Sequence, residues 1–327
     1  MKNTVIVILL LIVLGLVGYI FVDRSQASDT LSRPASSKTN ANINTITYTS
    51  VAIPEQVSFA GEKVPLQDPE VRERLEMELV QTAYRHSRTI MNLKRAGRWF
   101  PQIVPILRAH NIPEDFKYIA VVESNLLNLI SKVGATGFWQ FLRETGKQYG
   151  LEVNKEVDER YHRLKATTAA CKYLNHSYGI FDNWALVAAS YNRGMGGIRS
   201  NVNRQKVTSY YDLFLNSETA KYVIRAVAVK IIFENPTNYG FNIPKSQLYA
   251  PIDYRKVKVE HTIPDLVEFA VQQGITYKML KVHNPWLRRK TLTIKSPGRT
   301  YTILIPKGVK PNSAFRQQDI PRIQLKF

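Results

Sequence analysis

The sequence predicts a mainly α-helical domain followed by a small α+β module. Between residues 67 and 243 apolar residues recur at helical spacing, and no alternating strand pattern interrupts them. That span opens with Asp68-Pro69-Glu70, which reads as an N-cap, a first-position proline and an acidic first turn. Beyond Tyr254 the pattern changes to strand, helix, helix, strand over about fifty residues.

The helices follow in order. After Asp68, Leu75, Leu79 and Ala83 fit one inward stripe. Arg98 to His110 gives a second helix with Val104 and Leu107 inward, and the loop Asn111-Ile112-Pro113 turns into a third. After Gln140 a helix runs to about Tyr149, with Gly150 as its C-cap. Ala166 to Tyr178 carries Ala169, Ala170, Tyr173 and Leu174 on one packing face. Asp182-Asn183-Trp184 leads into a buried helix from Ala185 to Tyr191, after which Gly194, Gly196 and Gly197 loosen the chain. Ser217 caps the last helix of the domain, with Glu218 in its first turn. Pro236, Pro244 and Pro251 mark a linker. In the module, Lys256 to Glu260 alternates like a strand, and Asp265 to Gln273 is a helix ended by Gly274. Thr276 caps a second helix, and Tyr301 to Ile305 closes the module as a strand.

The stretch from Ile112 to Leu151 carries the chemistry. Pro113 suits a first helical position, and Glu114 and Asp115 favour the positive end of a helix. Phe116, Ile119 and Ala120 mark an apolar face whose next member is Glu123. Desolvation and the negative end of its own helix would both raise the pKa of a carboxyl placed there, as a general acid near neutral pH requires. The bare position also fits a glutamate that turns to solvent at a frayed helix end. Ser124 beside it can hydrogen-bond the carboxyl. The turn Gly134-Ala135-Thr136-Gly137 precedes Phe138-Trp139-Gln140-Phe141, an aromatic pair and an amide that open a new helix and could line a sugar pocket or fill a core turn.

Composition bounds the function. The 327 residues leave room for about two domains, and 44% hydrophobic with 22% charged residues is a globular balance. A net charge of +19 favours an anionic polymer or surface. No zinc-finger spacing or phosphate-cradling Gly-Lys-Ser/Thr loop accompanies it, so no nucleic-acid partner is expected. The single cysteine, Cys171, lies in a small-residue helical run and reads as a buried side chain. The histidines are scattered without metal spacing, so no metal is expected. Thr4 to Val22 contains no charge, a length that just crosses a bilayer; Ser25-Gln26-Ala27 also offers a small-x-small cleavage site. Residues 1–22 are therefore an anchor or an export signal, and either places the remainder in the cell envelope, outside the cytoplasm. Residues 23–66, rich in Ser, Thr and Asn, read as a flexible linker with a maximal reach on the order of 140 Å. The expected domains are 67–243 and 255–307, with a basic tail at 308–327.

Several motifs in order resemble a known family. Glu123-Ser124, the run Ser131 to Phe141, Val157-Asp158-Glu159-Arg160 and the segment Ala188 to Gly194 (ASYNRG) look like the lytic transglycosylases with a soluble-transglycosylase-type, goose-lysozyme-like catalytic domain, most of all the membrane-bound type D branch. The resemblance covers roughly Val71 to Asn235, about half the chain. It implies a lysozyme-like α fold and cleavage of the bond between N-acetylmuramic acid and N-acetylglucosamine in peptidoglycan, with a 1,6-anhydro product. It implies Glu123 as the acid/base, Ser124 steadying the carboxyl, and Gln140 with Tyr191 holding the sugars. Asn192 would contact sugar or fix its loop, and Glu218 and Tyr222 would orient substrate or merely cap and pack. Arg160 would pair with a carboxylate. Arg193 stands where the family shows a small residue, a departure that suits an anionic-substrate groove. The span His261 to Asn284 resembles a LysM module, a binder of glycans containing N-acetylglucosamine, but Ile263-Pro264-Asp265-Leu266 replaces the usual Gly-Asp-Thr-Leu, which also suits a docking or spacer role. The resemblance implies peptidoglycan strands as partner, no cofactor, and a monomer. A hydrolytic muramidase of the same fold, using Asp158 or Glu159 as second carboxylate, and a non-catalytic wall-binding scaffold are the rival readings.

Overall fold

A computed structural model of the chain describes residues 50–309 together with 311 and 312. The expected anchor or signal at 1–22, most of the expected linker and nearly all of the basic tail lie outside the described residues. Among the described residues no helix is long and apolar enough to cross a membrane.

The expected linker does not extend to residue 66. A two-stranded hairpin, β1 (Ser58–Phe59) and β2 (Glu62–Lys63), packs Phe59, Val64 and Leu66 into the main core. Their apolar surface outweighs the polar composition around them. The hairpin is also tied by charge. Asp115 accepts from the Ala60 amide at 2.8 Å and pairs with Lys230 at 2.7 Å, and Lys230 also donates to the Ser58 carbonyl at 2.9 Å.

The helical domain is built around one helix. In chain order the helices are α1 (Pro69–Tyr84), α2 (His86–Ala109), α3 (Lys117–Ser124), α4 (Arg143–Gln148), α5 (Arg163–Phe181), α6 (Trp184–Arg193), α7 (Met195–Gln205) and α8 (Ser217–Glu234). α8 packs against α1, α3 and α6. Val223, Ala226, Val227, Ala228 and Ile232 are all fully buried, so it is apolar on several sides, as a central helix must be. Asn216, not Ser217, caps it, accepting from the Thr219 amide at 2.9 Å.

Three helices differ from the expected pattern. α2 begins twelve residues before Arg98 and continues through Pro101 and Pro105. Leu93, Ala96, Trp99, Ile103 and Leu107 form one buried stripe whose packing outweighs the hydrogen bonds the prolines remove. Phe138-Trp139-Gln140 does not open a helix: residues 134–142 are irregular, and Phe138 and Trp139 are buried core. The glycines after Asn192 do not loosen the chain either. Gly196 and Gly197 lie inside α7, which is anchored by the fully buried Ile198.

The second core belongs to the module. β3 (Tyr254–Val259) pairs antiparallel with β4 (Tyr301–Pro306), running from Tyr254 opposite Pro306 to Val259 opposite Tyr301. Between them lie α9 (Leu266–Gln272), capped by Asp265, and α10 (Tyr277–His283), capped by Thr276. The order β-α-α-β is the expected one. Val157 and Tyr161 of the helical domain are members of this second core. The Asp158 amide donates to the Trp286 carbonyl at 2.9 Å, and the Arg288 amide to the Glu156 carbonyl at 2.7 Å. The Glu156 carboxylate accepts from the Thr293 amide at 2.8 Å and from both threonine hydroxyls, which pull its pKa down. The module is therefore docked on the segment 152–161.

The hairpin's Glu62 accepts from the Trp184 and Ala185 amides at 2.5 and 3.0 Å, neutralising the positive end of α6. Glu62→Ala is expected to lower stability by about 1–2 kcal/mol in urea unfolding, with the helical circular dichroism of the folded state unchanged.

Candidate active site

Glu123 owes its place to α3. Phe116, Ile119 and Ala120 have no exposed surface, so the turn that follows brings Glu123 to the core edge, half-buried. Asn125, in the left-handed region at φ 53°, ends the helix immediately afterwards. The facing partner is α8, where Glu218, Tyr222 and Arg225 recur at i, i+4 and i+7 along one face. The buried Tyr222 hydroxyl donates to the Glu123 carboxylate. Arg225 is held by the buried carboxylate of Glu78, at 2.9 and 3.3 Å.

These neighbours set the proton affinity of Glu123. Removal from water pushes its pKa up to about 7, and the Glu218 charge adds to that. The Tyr222 hydrogen bond and the Arg225 charge oppose the rise. Glu123 can thus be protonated or charged near neutrality, which suits a group that first gives and then takes a proton. The Glu123 charge in turn raises the pKa of Tyr191 and Tyr222, beyond the larger effect of their burial.

The loop below Glu123 is held by backbone carbonyls. Ser124 is fully buried, and its hydroxyl lies 2.9 Å from the Phe138 carbonyl and 3.0 Å from that of Ala120. It therefore fastens the end of α3 to the loop; neither the expected bond to the Glu123 carboxyl nor a contact with substrate fits a side chain so covered. Gln140, at φ 45°, uses its amide group on the Gly137 carbonyl at 2.8 Å and the Leu129 carbonyl at 3.1 Å, leaving its own carbonyl oxygen for any ligand. Tyr191 donates to the Trp139 carbonyl at 2.8 Å, and its ring sits edge-on to Trp139, Phe141 and Tyr173. Asn192 accepts from the Thr219 hydroxyl at 2.8 Å, joining the end of α6 to the start of α8.

Asp158 and Glu159 are occupied elsewhere. Both oxygens of Asp158 take the Arg160 guanidinium, and Glu159 pairs with Lys165 and accepts the Glu152 amide at 2.9 Å. Neither is free to activate a water; the remaining acidic neighbour of Glu123 is the exposed Glu218.

Two features escaped the sequence reading. The Glu78–Arg225 pair lies across two helices, and its only trace is a glutamate beside the stripe of α1. Phe214 is 86% exposed just before the cap of α8, while Gln205 clamps its backbone amide at 2.8 Å and carbonyl at 3.0 Å. An exposed ring on a clamped backbone, four residues before Glu218 in the chain, is the type of surface that stacks on a sugar face.

The two neighbours of Glu123 should move its titration in opposite directions. Tyr222→Phe removes a donor to the charged form and is expected to raise the Glu123 pKa above about 7. Glu218→Gln removes a repelling charge and is expected to lower it. Carbon-13 titration of the Glu123 carboxyl reads both. Because the folded protein holds this proton more tightly than the unfolded chain, the group's contribution to stability is lost as pH rises from about 4.5 to about 7. Glu123→Gln is expected to exceed the wild type in stability by up to about 3 kcal/mol at pH 8, with near parity at pH 4, by denaturant unfolding.

Comparison with known proteins places the chain among transglycosylase relatives. Residues 105–214 match the transglycosylase SLT domain, and residues 255–309 match the soluble lytic transglycosylase C-terminal LysM-like domain. The first match includes Glu123, Gln140 and Tyr191; Glu218 and Tyr222 lie beyond its end. Among curated proteins, membrane-bound lytic murein transglycosylase D of Escherichia coli, from strain K12 and from strain O6:H1, is 28% identical over 260 residues, 76% of this chain and 55% of the relative. The chain thus spans about half the length of the curated relatives it matches. Among solved structures, an inactive mutant of lytic transglycosylase Slt from Pseudomonas aeruginosa aligns with 18% identity and a TM-score of 0.34, over 46% of this chain and 26% of that one. The chain carries a transglycosylase SLT domain followed by a LysM-like domain of the soluble lytic transglycosylase C-terminal type, and is homologous to membrane-bound lytic murein transglycosylase D.

Proposed function

We propose that this chain is a peptidoglycan lytic transglycosylase with Glu123 as its single acid/base. The observation that carries this reading is the Glu123 carboxyl itself, poised at a pKa of about 7 by burial, with Tyr222 donating to it. The curated relatives are lytic murein transglycosylases by name, which supports the same substrate. In the reaction, Glu123 protonates the glycosidic oxygen between N-acetylmuramic acid and N-acetylglucosamine. The C1–oxygen bond breaks to an oxocarbenium-like state, helped by the substrate N-acetyl group. Glu123, now a carboxylate, takes the proton of the muramic acid 6-hydroxyl, whose oxygen closes on C1. The product is the 1,6-anhydro sugar, and no water enters the bond.

One carboxyl suffices because the substrate supplies its own nucleophile, whereas ordinary glycosidases hold two carboxyls about 5 to 9.5 Å apart. Tyr191 and Phe214 offer aromatic surface to the glycan, and the Gln140 carbonyl and Asn192 offer polar groups at the cleft. The chain acts in the cell envelope, held or exported by residues 1–22, and works on glycan strands as a monomer. A hydrolytic muramidase is the second reading, favoured by the proximity of Glu218 to Glu123.

Mass spectrometry of peptidoglycan digested by residues 28–327 decides among these. Anhydro-muropeptides are expected from the wild type and none from Glu123→Gln. Glu218→Gln is expected to keep the anhydro product, with the alkaline fall in rate moved to lower pH. Reducing-end products that vanish in Glu218→Gln would establish hydrolysis instead. Sedimentation with the wall and no product from either protein would leave a binding scaffold.

A further inference from the structure

A pocket flanks the acid. Val122 and Asn125, on either side of Glu123 in the chain, lie in its wall, and α8 supplies Arg225, Val229 and Phe233. Arg85 and Arg88, at the junction of α1 and α2, line it as well. Both are exposed, so they stand at its open side. The free interior is about 50 Å³, room for roughly three water-sized groups. That holds one carboxylate on a short stem and is too little for a sugar ring.

Three guanidiniums line this pocket against one carboxylate. The carboxylate is Glu78, which is 2% exposed and has both oxygens on Arg225. The Arg225 side chain keeps 38% of its surface open. Among the described residues no carboxylate pairs with Arg85 or Arg88, and Arg85 reaches only the Gln81 side-chain oxygen, at 3.5 Å. The neutral polar groups of the wall are already used. The Thr89 hydroxyl donates to the Thr82 carbonyl at 2.6 Å, and the Asn92 amide to the Asn125 side chain at 3.0 Å. What the pocket still offers is charged N–H donors beside the apolar Val121, Val122, Val229 and Phe233. A guanidinium fork matches the plane of a carboxylate, and the apolar wall suits a methyl-bearing stem.

The pocket also touches the electrostatics of the acid. Arg225 draws the Glu123 pKa down, against the larger effect of burial. The other groups facing Glu123 are Tyr222 and Glu218 of α8 and Tyr191 of α6. Burial moves both tyrosines further from neutrality, so Glu123 is the member that titrates near pH 7. An anion seated beside Arg225 opposes the pull of that charge.

We propose that this pocket is a subsite for a carboxylate of the substrate, gripped by Arg85 and Arg88 over the Glu78–Arg225 pair, and that its occupancy is coupled to the proton on Glu123. That the carboxylate comes from peptidoglycan rests on the catalytic reading; the site itself does not. Two groups there have this chemistry: the lactyl carboxylate of muramic acid freed of its peptide, and the alanine terminus of a peptide.

The test uses residues 28–327 labelled with nitrogen-15 in the arginine side chains and carbon-13 in the glutamate carboxyls. N-acetyl-D-alanine, its neutral amide, N-acetylmuramic acid and phosphate are titrated separately at constant ionic strength. The Arg85 and Arg88 signals are expected to move saturably at millimolar N-acetyl-D-alanine or N-acetylmuramic acid and to stay still with the amide. The tighter of the two acids identifies the source. Arg88→Gln is expected to weaken binding about tenfold, and Arg85→Gln with Arg88→Gln to abolish it. Saturation should raise the Glu123 pKa above about 7, and by reciprocity binding should weaken as pH rises through that value. Glu123→Gln should bind without that pH dependence. On peptidoglycan the double variant should keep kcat and raise KM. A linear shift, an equal response to the amide, a stronger response to phosphate, or undiminished binding in the double variant would overturn the carboxylate site. Binding that leaves the Glu123 titration unmoved would overturn the coupling. Wild type that binds the acids yet yields no anhydro product would overturn the catalytic reading alone.

Discussion

The Arg160 guanidinium ties the loop of the candidate site to the segment that meets the module. It is buried, takes both oxygens of Asp158, and donates to the carbonyls of Gly134 at 3.0 Å and Phe141 at 3.1 Å. A buried arginine needs such complete pairing, because the cost of leaving it unpaired is several kcal/mol. The loop that carries Gln140 is thereby fixed from below. Its closeness is enforced at Gly137, where a Cβ would lie 2.0 Å from the Arg160 carbonyl oxygen and the φ of 86° already excludes most side chains. The same segment meets the module through Val157 and Tyr161. One ion pair therefore connects the floor of the Glu123 cleft to the second core.

Above that floor, Glu123 is balanced rather than simply buried. Desolvation alone would hold it neutral, and a donor hydroxyl with a nearby guanidinium restores access to the charged form. Arg225 is itself paired with Glu78 at 2.9 Å, and that carboxylate offsets part of its pull on Glu123. The carboxylate of α1, the guanidinium of α8 and the acid of α3 form a graded series across three helices, which sequence spacing cannot display.

The parts readable in the sequence were those governed by local rules. The caps at Asp68 and Thr276 stand where the residue types put them, and the apolar stripe of α3 leads to Glu123 as its period requires. What escaped was decided by contacts far apart in the chain. α2 starts without a capping side chain, so nothing local marks its beginning at His86. The hairpin at 58–63 is too short to show alternation and is held by Asp115 and Lys230, some fifty and one hundred and seventy residues away. Ser124 sits beside the acid in sequence but faces the Phe138 carbonyl, because a helix places neighbours about 100° apart. Composition left Phe138 and Trp139 as either pocket wall or core turn, and only the fold decides for the core, where the Trp139 indole donates to Thr167.

The shared second core has a consequence for how such chains can be rearranged. A module joined only by a linker can be swapped, duplicated or trimmed as a cassette. Here Val157 and Tyr161 complete the module's interior, and Glu156 holds the threonines of its last loop. Excising the module would strip cover from two apolar side chains and leave a carboxylate without its donors, all within a few residues of Arg160. Replacement by a different fold would need residues 152–161 redesigned with it. The border between the two domains, as a unit of inheritance or engineering, therefore runs through the middle of the helical domain's own sequence and not through the proline-rich linker at 236–251.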